Sequence, residues 1–266
     1  MDLTGAADLS KQYSTSEKLA ARARLHRDYS VAEMGWFEWV AQRLPISDGA
    51  AVLDIGCGPG WFWAAASAAG LPERIDLTLA DASPGMVREA AERCTPLRAW
   101  QVTGREADAA ALPFNDESFD VILAMHMLYH VPDAAQAIAE MHRVLKPGGT
   151  LAVTTNGAGN LLELYALTTV FGSPPTEPVA GLFGFEHAER LMRAEFGNVS
   201  REVQPARLRV TDPEVVFMAL TSYPPGEGAP EEQLQAFRER IADAFARGNG
   251  VLDVEKQSGL FLSRKA

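Results

Sequence analysis

The stretch VLDIGCGPGWF, residues 52–62, decides how this 266-residue chain is read. Residues 51–55 (AVLDI) are a short apolar run that fits a buried strand. The run passes directly into Gly56-Cys57-Gly58-Pro59-Gly60, and a helical pattern follows over residues 60–69. Glycines let the backbone turn sharply and let a ligand approach without meeting a side chain. The helix start beyond them offers unpaired N–H groups and a positive dipole end to an anion. The bland alternative is a tight strand-to-helix turn that binds nothing.

The same alternation continues outward from this stretch. LTLAD (77–81) reads as a strand and residues 84–93 as a helix. WQVTG (100–104) is a weak strand, FDVILAM (119–125) a strong one, and residues 133–144 a helix. GTLAVTT (149–155) follows the stop signal Pro147-Gly148-Gly149. Strands alternating with helices predict an α/β fold, a doubly wound parallel sheet with helices on both faces. Residues 16–42 read as helical. After Asn156 the rhythm changes. Residues 159–171 look helical, 172–186 loop-like, 187–196 helical and 199–203 extended. Thr211-Asp212-Pro213-Glu214 has capping-box spacing and starts a further helix. Residues 230–247 form an amphipathic helix, and LFLSR (260–264) a last strand. The expectation is one domain over 1–266. Its core spans about 46–155 plus 187–210 and 249–266, with lid segments at 1–45, 156–186 and 211–248.

Composition narrows the classes. Apolar residues are 47% and charged residues 22%, ordinary for a globular chain and unlike disordered or collagen-like sequences. The formal net charge of -11 disfavours nucleic acid and anionic membranes as partners. Cys57 and Cys94 alone cannot form a disulfide framework or a four-ligand zinc site. The longest apolar-looking run, residues 61–71, is too short to span a bilayer. The first ten residues, MDLTGAADLS, lack a basic stretch followed by an apolar one, so no signal peptide is expected and a cytoplasmic location is.

The glycine spacing separates cofactor classes. A dinucleotide fingerprint is G-x-G-x-x-G; here the third glycine, Gly60, comes one residue early, which disfavours a nicotinamide dinucleotide. Asp81 ends the second strand, beside the glycine loop in a doubly wound sheet, where a carboxylate can accept from both hydroxyls of a ribose. It can equally serve as a helix cap, as can Ser83.

The loop with Asp54 two residues before it resembles the first motif of class I S-adenosylmethionine (SAM) methyltransferases, and LTLADASPGMV the second. EADAAALPFNDESFD (106–120) resembles the family's adenine-binding stretch, and RVLKPGGTLAVTT (143–155) its helix–turn–fifth-strand segment. Together they resemble the ubiquinone/menaquinone-type branch. The resemblance implies a seven-stranded Rossmann-like sheet in the order 3-2-1-4-5-7-6 with one antiparallel strand. It implies SAM as cofactor, S-adenosylhomocysteine as product and a small-molecule acceptor, and the lid segments and the arginine- and alanine-rich composition point to a secondary metabolite. The implied cofactor-binding residues are Gly56, Cys57, Gly58, Gly60, Asp81, Ala82, Met86, Asp108, Ala109, Ala124 and Met125, with Met86 on the adenine face and Asp108 on its exocyclic amine.

The residues after the fourth strand, Ala124-Met125-His126-Met127-Leu128-Tyr129-His130, would face the transferred methyl. They contain no Asn-Pro-Pro-Tyr motif and no acidic cluster, so neither DNA adenine or protein glutamine methylation nor a metal is expected. His126 is the candidate general base, since an ordinary histidine titrates near neutrality; the alternative is a pocket-lining residue. His130 is read as structural. Aromatics crowd the lid segments, and Tyr13, in the polar SKQYSTSEK, is expected to fold over the cofactor. Arg22 and Arg24 could reach a carboxylate or simply face solvent. The competing reading is a cyclase or isomerase of the same fold that binds SAM without transferring its methyl.

Overall fold

The computed structural model describes residues 17–97 and 100–266. Helix α1 (Glu17–Tyr29) leads to strand β1 (Ser30–Val31) and helix α2 (Trp36–Ala41). Then β2 (Ala50–Ile55), α3 (Trp61–Ala66), β3 (Ile75–Asp81), α4 (Pro84–Cys94) and β4 (Gln101–Glu106) follow. Next come β5 (Phe119–Met125), α5 (Ala134–Val144) and β6 (Leu145–Asn156). The remainder is α6 (Leu162–Leu167), α7 (Ala180–Phe183), α8 (Phe185–Phe196), β7 (Ser200–Val203) and β8 (Arg207–Val210). It ends with α9 (Pro213–Thr221), α10 (Glu231–Arg247), β9 (Leu252–Glu255) and β10 (Ser258–Arg264).

Seven strands form one sheet in the order β4-β3-β2-β5-β6-β10-β7. Counted within the sheet this is 3-2-1-4-5-7-6, the expected order. The first five pair in parallel, and β10 runs antiparallel to both β6 and β7. Successive side chains of a strand point to opposite faces, and the cores divide accordingly. Val52, Leu77, Leu79, Val121, Leu123 and Leu260 join Trp63 in one core. Leu53, Ile55, Ile122, Leu151, Val153 and Phe261 join Ile138 and Met141 in the other. Burying each such chain contributes about 1.5–3 kcal/mol. The helices are capped as their sequences demand: Ser83 Oγ accepts from Met86 N at 3.4 Å, and Asp133 Oδ1 from Gln136 N at 2.9 Å.

A second sheet was not expected. It has three strands in the order β1-β8-β9. Ser30 pairs with Leu208 and Val31 with Arg207, while Leu208 pairs with Val254. The reading of residues 16–42 as one helix is therefore corrected: α1 stops at Tyr29, where the backbone is drawn into this ladder. Residues 207–210 and 252–255, assigned above to the main core, belong to the second sheet instead. Their side chains, with α1, α6, α9 and α10, enclose a third core of Leu25, Leu164, Leu208, Val215, Phe237, Ile241 and Val254.

Smaller differences have local causes. The helix read over 159–171 is only α6 plus a 3-10 turn (Thr168–Phe171), because Leu161 adopts a left-handed conformation. Residues 172–186, read as loop, contain α7 and the start of α8. At α9 the cap is Asp212, which accepts from Glu214 N at 2.9 Å, rather than Thr211. Among the described residues no helix is long and apolar enough to cross a membrane.

Candidate active site

The glycine loop emerges at the carboxyl end of β2, one strand from Asp81. Gly56, Gly58 and Gly60 take φ values of 71°, 50° and 73°, the left-handed region that other residues enter at a cost of about 1–2 kcal/mol. Gly56 N and Cys57 N both donate to Ala80 O, at 2.8 and 3.0 Å. Arg93 donates to the Pro59 carbonyl. Asp81 clamps the loop directly: its Oδ2 accepts from Gly58 N at 3.0 Å and its Oδ1 from Ser83 N at 2.9 Å. Burial raises the Asp81 pKa, and those two N–H groups pull it back. Each carboxylate oxygen can take a further donor.

The space around the loop is uneven. A Cβ on Gly56 would lie 2.7 Å from the Met127 side chain, and one on Gly60 would lie 3.0 Å from Ala90 Cα. A Cβ on Gly58 would meet nothing within 4 Å. The loop is thus tightly packed at both ends and open at its middle.

Beneath it lies Asp54, 2% exposed. Its Oδ2 accepts from Trp63 Nε1 at 2.7 Å, but its Oδ1 has no partner among the described residues. Burial pushes its pKa up to about 7, opposed by the Trp63 bond and assisted by the charge of Asp81. A buried acceptor without a donor costs about 1–3 kcal/mol. It fits a ligand that brings an N–H, such as the ammonium of an amino acid. Cys57 is half-buried and its thiol is held well above the usual range, first by burial and then by Asp54 and Asp81.

The other expected cofactor residues are arranged as follows. Ala82 is exposed beside Asp81. Met86 is 1% exposed in the first turn of α4. Ala107 N donates to Asp81 O at 3.1 Å, which ties the segment after β4 to the end of β3. Asp108 is exposed there, with Oδ1 accepting from Ala110 N at 2.9 Å, and Ala109 is buried. Ala124 is buried in β5 and Met125 half-buried at its end. The fold brings Asp54, the glycine loop, Asp81 and Asp108 to one end of neighbouring strands. Tyr13 lies outside the described residues.

His126 follows β5 in a left-handed conformation, φ 50°. Its backbone N–H donates to Thr154 O at 3.1 Å and Thr154 Oγ1 at 3.2 Å. The bend sets its ring 5.7 Å from that of Trp36. Burial, then the charge of Lys256, lowers its pKa to about 4. The imidazole is therefore neutral at pH 7 and a weaker base than an ordinary histidine. His130 closes a 3-10 turn (Leu128–His130) and its ring meets Tyr129 at 4.6 Å. Most lid aromatics serve packing: Trp36 stacks on Trp39 at 5.4 Å and Phe171 meets Phe237 at 4.9 Å. Arg24 faces solvent and pairs with Asp28 at 3.4 Å.

Three residues at the site carry no motif and escaped the sequence reading. Trp63 holds Asp54. Lys256, 8% exposed, and His26 approach His126 from the second sheet and α1. The one signal for Lys256 is rarity, since lysine stands at only five positions in the chain.

Residues 53–153 match the family described as a methyltransferase domain. Methyltransferase GfsG of Streptomyces halstedii is 36% identical over 141 residues, 51% of this chain and 48% of that protein. A demethylmenaquinone methyltransferase of Staphylococcus epidermidis is 31% identical over 142 residues, 52% of this chain and 58% of that one. The chain thus spans about half the length of the curated relatives it matches. Among solved structures, the [4+2]-cyclase SpnF is 22% identical with a TM-score of 0.57, covering 97% of this chain and 95% of its own. A phosphoethanolamine N-methyltransferase 2 of Haemonchus contortus, in complex with SAM, is 19% identical with a TM-score of 0.60. That likeness covers 100% of this chain and 60% of the other. At these identities the structures speak for the fold.

Proposed function

We propose that this chain, a member of the class I SAM-dependent methyltransferases through its domain at residues 53–153, transfers a methyl group to a small-molecule acceptor. Its cofactor is SAM. The observation that carries our placement of the cofactor is the buried, unpartnered Asp54 Oδ1 below a glycine loop that Asp81 clamps and Gly58 leaves open. Asp54 would take the ammonium of the cofactor's amino-acid part. Gly56, Cys57, Gly58 and Gly60 would give it backbone contacts. Asp81 and Ala82 would take the ribose, Met86, Asp108 and Ala109 the adenine, and Ala124 and Met125 the region of the methyl. Tyr13 would close over it.

The cofactor supplies an electrophilic methyl on a sulfonium, which needs little activation. The chain's part is then positioning. Holding nucleophile and methyl about 3–3.5 Å apart and in line is worth up to about 7–11 kcal/mol. His126, at the end of β5, lies at the acceptor. As a neutral imidazole it accepts a hydrogen bond, or a proton, from the acceptor's O–H or N–H. Being a weak base, it suits an acceptor that is itself acidic. The likeness to GfsG supports an acceptor from secondary metabolism, and the net charge of -11 supports a small molecule over nucleic acid.

The test is to incubate the protein with SAM and a panel of phenols, enols, amines and carboxylic acids, and to follow S-adenosylhomocysteine by mass spectrometry. Methylated product and S-adenosylhomocysteine in equal amounts are expected, with loss of both in Asp81→Ala. The likeness to the cyclase SpnF supports one second reading, a protein that binds SAM without consuming it. Acceptor turnover with no S-adenosylhomocysteine formed would favour that reading.

A further inference from the structure

A cluster of basic groups beside His126 is left unused by the cofactor reading. His26 lies in the last turn of α1, Ser30 opens β1, His126 follows β5, and Lys256 sits between β9 and β10. Lys256 Nζ donates to Ser30 Oγ at 3.1 Å. The lysine is buried, and among the described residues no carboxylate forms an ion pair with it. The neighbouring acid, Glu255, is exposed, and its Oε1 accepts from Gln257 Nε2 at 2.8 Å. Burial lowers the Lys256 pKa to about 8. Burial, Lys256 and His126 lower His26 to about 3. At pH 7 the cluster is one ammonium beside two neutral imidazoles. Buried charges are ordinarily paired, and the described chain does not supply the counter-charge.

The position of the cluster says which ligand does. Across the sheet, Asp81 and the glycine loop lie at the ends of β3 and β2, and His126 lies at the end of β5. Lys256 precedes β10, whose first residue, Ser258, pairs with Asn156 at the end of β6. The cluster therefore lies on the far side of His126 from the glycine loop, at the same end of the sheet.

We infer that Lys256, with His26, Ser30 and His126, seats an ionised oxygen of the acceptor, so that the substrate is an anionic small molecule. This rests on the reading that places the acceptor at His126. Two sources share the chemistry. A phenol or enol would lose its O–H proton to the His126 imidazole, keep the electron pair on oxygen, and present that oxygen as the nucleophile beside the ammonium. A carboxylate would anchor the acceptor and leave another atom to react.

The test uses the full chain saturated with S-adenosylhomocysteine and three probes of similar shape: 4-nitrophenol, 4-nitrobenzoate and 4-nitrobenzamide. At least one acidic probe should bind about tenfold or more tightly than the neutral amide, the scale of a hydrogen bond to a charged group. Binding of 4-nitrophenol as its coloured phenolate at pH 6 would mark an ionised nucleophile, and a preference for 4-nitrobenzoate an anchor. Lys256→Met should abolish the preference and leave S-adenosylhomocysteine affinity unchanged, while Lys256→Arg keeps both. Equal or absent binding of all three probes would overturn the inference. So would a Lys256→Met that weakens the cofactor product instead, since the ammonium would then hold the cofactor's own carboxylate. Failure of the wild type to bind S-adenosylhomocysteine would strike the cofactor reading first, and this one with it.

Discussion

Between residues 50 and 156 the five parallel strands β2–β6 pair with one another, whereas the second sheet joins Ser30–Val31 to Arg207–Val210 and that strand to Leu252–Glu255. The first region builds the glycine loop, Asp81 and Asp108 from local motifs. The second builds the surroundings of Lys256 and His26 from residues that meet only after the chain has returned on itself. His126 sits where they join. The difference teaches that, on the proposed function, cofactor binding and acceptor choice are encoded at different ranges of sequence.

The largest expected effect tests whether the two regions are one cooperative body. Phe237 is fully buried in the third core, against Phe171 and Phe217. Phe237→Ala should cost about 3–5 kcal/mol. Because β9 passes into β10 after two residues, calorimetry should show one transition, lowered by roughly 6–20 °C. A separate early transition, with the main sheet's melting unchanged, would split the molecule into two units.

On the cofactor side, Trp63→Phe removes the donor to Asp54 Oδ2 and should destabilise by about 1–3 kcal/mol. Asp54 titrates at about 7 in the fold and near 4 when unfolded. It is protonated at pH 5 and ionised at pH 8, so chemical denaturation should show the larger loss at pH 8.

The glycine loop gives a sharper contrast at smaller energies. Gly56→Ala meets Met127 as well as an unfavourable φ, whereas Gly58→Ala meets only the φ cost of about 1–2 kcal/mol. Gly56→Ala should be the less stable protein. Gly58→Ala should stay folded and still lose S-adenosylhomocysteine affinity, as read by calorimetric titration. Retained affinity would move the ligand away from the middle of the loop.

The smallest effect is a pH dependence of stability. The folded pKa values of His26 and His126, about 3 and 4, lie below the unfolded value near 6.5. The unfolded chain then binds more protons between those limits, so stability should fall as pH drops from about 6.5 towards 4. Lys256, at about 8 against about 10.5 unfolded, adds a rise in stability between those two values. Melting curves should show the acid fall reduced in His26→Leu, and the alkaline rise absent in Lys256→Met. An unchanged pH profile in both variants would place these groups in water.

Much of the first region was legible because its signals are short-range. The run AVLDI ends in glycines, Asp81 ends the next apolar run, and Pro147-Gly148-Gly149 follows helix α5 in the first residues of β6. The strand order came from the resemblance that these motifs carry. The second sheet was not legible. Its strands are two to four residues long, and Ser30–Val31 is extended only because Arg207 and Leu208 are there to pair with it. Capping at Asp212 rather than Thr211 is a one-residue choice between two good caps. Lys256 and His26 belong to no motif, and their chemistry exists only once burial has brought them together.

The central claim, SAM held at the glycine loop by Asp54 and Asp81, is tested most directly by thermal unfolding of wild type and Asp81→Ala with S-adenosylhomocysteine or NAD. At ligand about 100-fold above its dissociation constant the stabilisation is about 2.7 kcal/mol. In a chain of this size that is a shift of roughly 5–10 °C. A shift of the wild type by S-adenosylhomocysteine alone, lost in Asp81→Ala, is the predicted result. A shift by NAD, or an equal response of Asp81→Ala to S-adenosylhomocysteine, would contradict the account.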